Sequence, residues 1–215
     1  PFLKDPFLFF PENKNFIPHF LFSLSSCGTF MNGVKSMGII TKIAKQQNNS
    51  SRYNIFINDQ YSFSVDEDVL VKFRLKKGME LDEFIFSEIQ YEDEIRKAYH
   101  MAIKYLTNRM RSEKEVREFL LEKEIKEPII QEAIHKLYEY KFLDDEEYGR
   151  AYVRTKMNTT DKGPELIKME LGQKGLSVEH IEKAVLEYPE EKQLENGRKL
   201  AEKYMKKRTK ESNRL

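Results

Sequence analysis

The sequence predicts a mainly α-helical protein, in which tandem three-helix repeats form an elongated, curved array behind a small β-rich domain. Three observations support this fold class. Apolar residues recur with the helical period from Glu94 onward, and the segment after Ser112 is repeated 51 residues later. Charged residues make up 34% of the chain, against 40% hydrophobic residues. Because a single compact core needs fewer charges, this composition suits a helical array with a large surface.

The first 36 residues form a leader that differs from the rest of the chain. It is rich in Phe and Pro and has neither the helical nor the strand period. A secretory signal would place basic residues before a short apolar stretch, and the segment 16–27 is apolar enough for one. The start is poorly basic, however, and prolines interrupt it. We therefore favour a natural start at Met37, or at Met31, with a leader that is non-native or disordered.

Residues 37–91 are predicted to form the small β-rich domain. The β-branched run 39–43 predicts a first strand. The runs 53–57 and 61–65 flank Asn58-Asp59-Gln60 and predict a hairpin. A short helix is expected from Asp66 to the segment 76–78, with acidic residues in its first turn. The segment 81–89 fits either a strand or a short helix.

The first repeat is predicted over residues 94–143. Ile95, Ala98, Ala102, Leu106 and Arg109 fall on one side of a first helix. The segment 112–115 has the pattern of a capping box and starts a second helix. The segment from 128 onward, which begins with a proline, predicts the third.

The second repeat is predicted over residues 144–188. Asp144 is expected to cap its first helix, with Glu147 three residues later. The Gly-Pro pair at 163–164 opens the second helix, Gly175 ends it, and Ser177 caps the third. A third repeat begins at residues 189–215, where 201–204 is similar to 102–105, but the sequence ends before its second helix.

A shift of 51 residues aligns the two repeats without a gap. Pairs of like residues coincide along the second and third helices of each unit, as two copies of one fold require. The aligned pairs are Val116 with Ile167, Leu120 with Leu171, Lys123 with Lys174, Ile125 with Leu176, Ile130 with Ile181, Ala133 with Ala184 and Ile134 with Val185.

The sequence lacks the patterns of common catalytic and metal sites. Cys27 is the one cysteine, so an intrachain disulfide or a cysteine zinc site is excluded, and a reducing, cytoplasmic compartment is expected. Phosphate-binding glycine loops and nucleophile-elbow motifs do not occur, and no cofactor is predicted. The acidic run 144–147 can bind a divalent ion, but its place at a helix start explains it without a metal. We therefore predict a non-catalytic binding protein without a metal site.

Local charge is the remaining signal, because the net charge of +1 hides an uneven distribution of basic residues. If the repeats stack, their basic faces can follow a polyanion such as a nucleic-acid backbone. The alternative is a set of solvated helix faces, interleaved with glutamates. Tyr105, Tyr152 and Tyr204 can stack on bases, although their helical spacing favours packing. The candidate contact residues are Arg109, Arg111, Lys114, Arg117, Arg150, Arg154, Lys156, Lys162, Lys168, Arg198, Lys203 and Arg208.

Three segments together resemble the RecX family, regulators of the bacterial recombinase RecA. The segment 105–115 resembles the first-repeat motif of that family, 142–153 its repeat-to-repeat junction, and 171–176 the end of its second-repeat helix. The resemblance covers residues 37–215, including a β-rich domain similar to that of Gram-positive relatives. The third repeat is incomplete compared with the family.

The resemblance implies three repeats of three helices and no catalytic activity. It also implies binding in the groove of the RecA–single-stranded DNA filament, which limits filament growth, strand exchange and coprotease activity, with some direct affinity for DNA. The basic residues Arg109, Arg111, Arg150 and Arg154 are then the expected contact surface, and the protein is expected to be monomeric. Two alternatives stay open: a DNA-binding helical-repeat protein without preference for RecA, and a helical scaffold for another protein.

Overall fold

The computed structural model describes residues 36–47, 49 and 51–212. The predicted leader lies outside the described residues, apart from Ser36. None of the helices in the described ranges combines the length and hydrophobicity needed to span a bilayer.

A four-stranded antiparallel sheet begins the described part of the chain. Its strands are β1 (Ser36–Lys45), β2 (Arg52–Ile57), β3 (Gln60–Asp66) and β4 (Glu80–Asp82), in the order β3-β2-β1-β4. The three predicted strands are confirmed. The hairpin turn is one residue shorter than expected, because Gln60 pairs with Ile57. Asn58 and Asp59, at φ 49° and 64°, form a two-residue turn whose twist matches that of the strands.

A short helix, α1 (Glu67–Lys72), follows the sheet and begins where the sequence predicts. The Asp66 carboxylate accepts a hydrogen bond from the backbone N–H of Asp68. The predicted end at residues 76–78 is wrong. Arg74 has φ 50°, and the Leu75 N–H bonds to the Leu70 carbonyl at 3.0 Å, which ends the helix at Lys72. A left-handed residue other than glycine leaves no sequence signal for this early end.

The ambiguous segment after residue 81 is resolved as the start of a long helix, α2 (Glu83–Leu106). The Asp82 side chain caps it by accepting from the Ile85 N–H at 2.7 Å. A helix start near Glu94 is therefore wrong. The first half of α2 packs Ile89 into the core of the sheet, and the second half buries Ala98 among the repeat helices. The predicted limits of the domains at 91 and 94 fall inside this helix, and the division into domains stays a prediction.

The helices after α2 follow the predicted boundaries. The Ser112–Glu115 capping box, the Asp144 cap and the Ser177 cap are confirmed, and Gly175 ends its helix at φ 86°. The helices are α3 (Glu113–Glu122), α4 (Glu127–Glu139), α5 (Asp145–Thr159), α6 (Pro164–Gln173), α7 (Val178–Val185) and α8 (Glu190–Ser212).

The 51-residue register is confirmed. Both ends of α3 and α6, and the first residues of α4 and α7, are related by this shift. The equivalent residues Leu120 and Leu171 are both fully buried, as are Ala133 and Ala184. The first helix of each unit packs mainly on the third, α2 on α4 and α5 on α7. The mainly helical fold class, with a β-rich start, is therefore confirmed.

The last helix, α8, is joined to the second repeat by a buried amide. Asn196 is 2% exposed, and its Nδ2 donates to the Tyr188 hydroxyl at 2.7 Å. The Tyr188 hydroxyl in turn donates to the Lys162 carbonyl at 3.0 Å. This chain of hydrogen bonds joins the first part of α8 to the end of the second repeat and to the segment between α5 and α6.

Candidate nucleic-acid interface

The two repeats meet where the end of α6 contacts the start of α3. The Ser112 hydroxyl donates to the Lys174 carbonyl at 2.8 Å, and the Lys114 ammonium donates to the Gln173 carbonyl at 2.9 Å. The negative end of one helix dipole thus faces the positive end of another. These contacts satisfy carbonyls at the α6 terminus that have no partner within their own helix. Lys114, a predicted contact residue, therefore has a structural role between the repeats.

Glu115 joins the same junction from its other side. Its carboxylate accepts from Lys174 at 3.0 Å and from the Tyr148 hydroxyl at 3.2 Å. Burial alone would raise the pKa of Glu115, but the hydrogen bonds from Lys174 and the Ser112 N–H outweigh it and lower the pKa. The capping residue of α3 therefore stays charged and holds both units.

The acidic run 144–147 is accounted for by contacts within the protein. Asp144 caps α5, and Asp145 accepts from the Glu113 N–H at 2.8 Å, so it caps α3 from the other repeat. Glu146 pairs with Arg150 and Lys183, and Glu147 pairs with Arg154. Within the described residues, no group of three or more His, Cys, Asp or Glu side chains is placed to hold a metal ion.

We expect Asp145→Asn to stabilise the protein at pH 7. Asp145 is 7% exposed, and burial together with the charges of Glu113 and Asp144 raises its pKa, although the Glu113 N–H and His180 oppose this. Because the pKa is higher in the folded state, the ionised carboxylate lowers the free energy of unfolding, and this loss is complete above the folded-state pKa. Asn keeps an oxygen acceptor for the Glu113 N–H but carries no charge. The gain, measured as the urea midpoint, should disappear as the pH falls below about 4.

Asp144→Asn is the matched control, because Asn caps a helix about as well as Asp. Its side chain is exposed, so the midpoint should change little at either pH. A lower midpoint for Asp145→Asn than for the unaltered protein at pH 7 would contradict this account of the junction.

Eight of the twelve predicted contact residues form ion pairs with carboxylates of the chain itself. These ion pairs leave little uncompensated positive charge at the eight positions. They are Arg109 with Glu115, Lys114 with Glu118, Arg117 with Glu113 and Glu127, Arg150 with Glu146 and Glu187, Arg154 with Glu147 and Glu187, Lys162 with Glu170, Lys168 with Glu165 and Glu182, and Lys203 with Asp161.

The structure brings Arg150 and Arg154 together, as their spacing predicts, and adds an acid between them. Both guanidinium groups contact Glu187, at 3.7 Å and 3.3 Å. Arg109 is 61% exposed and reaches Glu115 at 3.4 Å. Exposed pairs of this kind stabilise a protein by less than about 1 kcal/mol. A polyanion that binds here can therefore replace the intramolecular carboxylate at small cost.

The other four predicted residues have no carboxylate partner in the described part of the chain. Arg198 and Arg208 are exposed on α8. The Lys156 ammonium lies 5.1 Å from the centre of the Tyr152 ring. The Arg111 guanidinium lies 4.1 Å from the centre of the Tyr105 ring, and its Nη1 donates to the Tyr105 hydroxyl at 3.0 Å.

Arg111 belongs to a four-membered arrangement, which we call the Arg111 stack. The Tyr105 and Phe119 rings are parallel, with an interplanar angle of 3° and centres 4.1 Å apart. The Lys123 ammonium lies 5.7 Å from the Phe119 centre on the far side. The candidate contact residues predicted from the sequence include neither Phe119 nor Lys123. The spacing of four residues between them was the available signal.

The three tyrosines considered for base stacking differ in exposure. Tyr105 is half-buried against Phe119, and Tyr152 is half-buried with its hydroxyl bonded to Glu170 at 2.8 Å. Tyr204 is 65% exposed on α8. Packing therefore explains two of the three positions.

The fold and these surfaces define a class of protein: a tandem three-helix-repeat protein with a β-rich N-terminal domain and basic faces. Three family models match it in the same order along the chain. Residues 38–82 match the regulatory protein RecX N-terminal domain, 98–137 the first three-helix domain of RecX, and 144–185 the second.

Relatives and solved structures agree with these matches. The chain is 48% identical over 171 residues to regulatory protein RecX of Bacillus pumilus, and 47% identical over 171 residues to that of Bacillus subtilis; each match covers 80% of this chain and 65% of the relative. A crystal structure of regulatory protein RecX has a TM-score of 0.76 and 37% identity, covering 81% of this chain and 85% of the other.

A second solved structure, RecX from Lactobacillus salivarius, has a TM-score of 0.51 and 40% identity over 55% of this chain and 77% of its own. The chain therefore belongs to the RecX family of regulatory proteins, which confirms the resemblance. It spans about 65% of the length of these two Bacillus relatives.

Proposed function

We propose that the protein binds the RecA–single-stranded DNA filament and modulates it, mainly by inhibiting recombinase, ATPase and coprotease activities in DNA repair and the SOS response. The observation that carries the proposal is family membership across all three matched regions, with 47–48% identity to two RecX proteins. The stacking of the repeats through Ser112, Lys114 and Lys174 supports it, because a rigid tandem array presents successive faces to a repeating filament.

The proposed contact surface is the basic side of the repeats. Arg109, Arg150 and Arg154 are exposed or half-exposed and paired with glutamates, so they can exchange those partners for phosphates or for carboxylates of RecA. Arg198 and Arg208 extend the surface along α8. No catalytic group is assigned to the protein, which acts by occupying the filament, and we propose that it does so as a monomer in the cytoplasm.

The test is the rate of DNA-dependent ATP hydrolysis by RecA. We expect the full chain to lower this rate when it is present at less than one molecule per RecA monomer, because each molecule blocks extension of a filament. Fluorescence anisotropy with bare and RecA-coated oligonucleotides, across a salt series, should show tighter binding to the coated strand. The proposal fails if excess protein leaves ATP hydrolysis and filament assembly unchanged.

The same binding measurement separates the two competing functions. A DNA-binding repeat protein without RecA preference would bind bare and coated strands equally, with affinity that falls steeply as salt rises. A scaffold for another protein would not bind either strand in a salt-sensitive way.

A further inference from the structure

The Arg111 stack differs from the paired basic residues of the repeats because no carboxylate neutralises it. Neither Arg111 nor Lys123 has an ion pair within the described ranges, whereas Arg109, Arg117, Arg150 and Arg154 all do. The Arg111 Nε is buried and has no hydrogen-bond partner there either. The Arg111 guanidinium lies over the Tyr105 ring and uses Nη1 to donate to its hydroxyl, which leaves Nη2 available to an anion.

At the equivalent position of the second repeat, a carboxylate neutralises the cation. The shift of 51 residues relates Phe119 to Glu170 and Arg111 to Lys162. Lys162 forms an ion pair with Glu170, and the Tyr152 hydroxyl donates to the same carboxylate at 2.8 Å. Hydrogen bonds from Lys162 and Tyr152 lower the pKa of Glu170, so its charge is retained. The first repeat has a phenyl ring where the second has an acid, and its cations are left without compensation.

We infer that the Arg111 stack is a contact site for the phosphodiester backbone of single-stranded nucleic acid. The inference deepens the proposed function, on which it rests, by naming the ligand chemistry of one subsite. Arg111 and Lys123 lie on opposite sides of two stacked rings, so a single phosphate cannot reach both. The geometry therefore fits a polyanion with regularly spaced charges, in which the terminal nitrogen Nη2 of Arg111 binds one phosphate and Lys123 binds another.

The half-buried rings favour nucleic acid over an acidic peptide as the ligand. Tyr105 and Phe119 offer apolar edges between the two cations, where a sugar or base of the strand can pack. The Tyr105 hydroxyl accepts from Arg111 and keeps its own proton to donate to a phosphate oxygen. A peptide of aspartate and glutamate offers carboxylates but no aromatic ring for this apolar surface.

The experiment compares two double variants of the full chain that remove the same charge. Arg111→Ala with Lys123→Ala removes the stack cations, and Lys183→Ala with Lys192→Ala removes two lysines that glutamates neutralise and that are not among the candidate contact residues. The probe is a fluorescein-labelled thymidine oligonucleotide, titrated by anisotropy from 50 to 200 mM salt. The first variant should lose about tenfold in affinity, with a log–log salt slope shallower by about 1.4 for two lost phosphate contacts. The second should stay within about twofold.

Lys123→Glu is a second test in case the double variant does not fold. Lys123 is exposed, and its substitution leaves the contact between Arg111 and Tyr105 in place. It should lower affinity for the oligonucleotide at unchanged thermal midpoint. Equal losses in both double variants, or none in either, would overturn the inference. So would a stack-dependent affinity for polyglutamate that equals the affinity for the oligonucleotide.

Measurement of RecA ATP hydrolysis with the same proteins separates this inference from the proposed function. If the unaltered chain binds the oligonucleotide through the stack but does not inhibit RecA, the proposed function fails and the subsite stands. If the unaltered chain inhibits RecA and the stack variant binds the oligonucleotide normally, the subsite fails and the proposed function stands.

Discussion

Asp93→Ala is expected to lower the free energy of unfolding by about 3–5 kcal/mol, because it leaves a largely buried arginine without its charged partner. Asp93 is fully buried in α2, and its carboxylate accepts from Arg52 at 2.9 Å and 3.2 Å and from Lys97 at 2.8 Å. It also accepts from the backbone N–H of Asp66 at 2.9 Å. One side chain thus joins β2, the end of β3 and α2.

The pH dependence of this effect follows from the pKa of Asp93. Burial alone would raise the pKa, but hydrogen bonds from Arg52, Lys97 and the Asp66 N–H outweigh burial and lower it. A lowered folded-state pKa contributes stability that is complete above the ordinary value of about 3.8 and is lost as the pH falls through the folded-state pKa. The difference between the unaltered protein and Asp93→Ala should therefore shrink in acid.

Urea unfolding followed by circular dichroism at pH 7 and at pH 3 measures both effects. Glu118→Ala is the matched control, since Glu118 is also in an i,i+4 pair with a lysine but is exposed. It should change the free energy of unfolding by less than about 0.5 kcal/mol. A loss below about 1 kcal/mol for Asp93→Ala at pH 7 would show that this network does not hold the sheet on α2.

Gly175→Val should destabilise the junction between the repeats by about 3 kcal/mol or more, for two additive reasons. Gly175 has φ 86°, which costs other residues about 1–2 kcal/mol and is worse for a β-branched side chain. An added Cβ would also lie 2.7 Å from the Lys114 Cβ in the first repeat, and crowding of this kind costs about 1–3 kcal/mol. The Lys114 contact with the Gln173 carbonyl should be lost as well.

Glu124 is the matched position in the first repeat, because it also follows the end of its helix with a positive φ, of 60°. Glu124→Gly should stabilise the protein by about 1 kcal/mol, since glycine removes the left-handed strain there. Thermal and urea unfolding of both variants measure the pair. If the two variants change the free energy of unfolding by equal amounts of opposite sign, backbone strain explains the whole loss in Gly175→Val. If the loss in Gly175→Val is much larger, the contact with Lys114 between the repeats contributes to it.

Local capping explains why the helix starts were predictable from the sequence. Ser112, Asp144 and Ser177 each bond to a backbone N–H three residues later, so the whole interaction lies within one short segment. The 51-residue register was equally accessible, because it depends on apolar residues that both copies must bury. The left-handed ends at Arg74 and Lys141 gave no such signal, since neither is glycine.

The candidate interface was less predictable, because the charge of a basic face depends on which acids reach it. Arg150 and Arg154 share Glu187, and Lys114 bonds to the Gln173 carbonyl, across helices that no sequence pattern brings together. The start of the long helix α2 was ambiguous for a similar reason. Its first half buries Ile89 in the core of the sheet, and its second half buries Ala98 in the first repeat.

The sequence by itself determined the starts of the helices other than α2, the hairpin, the repeat register and the absence of common catalytic motifs, because each depends on residues close together in the chain or on an internal copy. Only the tertiary structure decided which basic residues are neutralised. Phe119 and Glu170 occupy equivalent positions in the two repeats. In the first repeat, α2 and α3 bring Phe119 onto the Tyr105 ring, between two cations that have no ion pair. In the second repeat, Glu170 on α6 forms an ion pair with Lys162. An ion pair requires its two charged groups to lie within a few ångströms of each other, and the packing of the helices sets those distances.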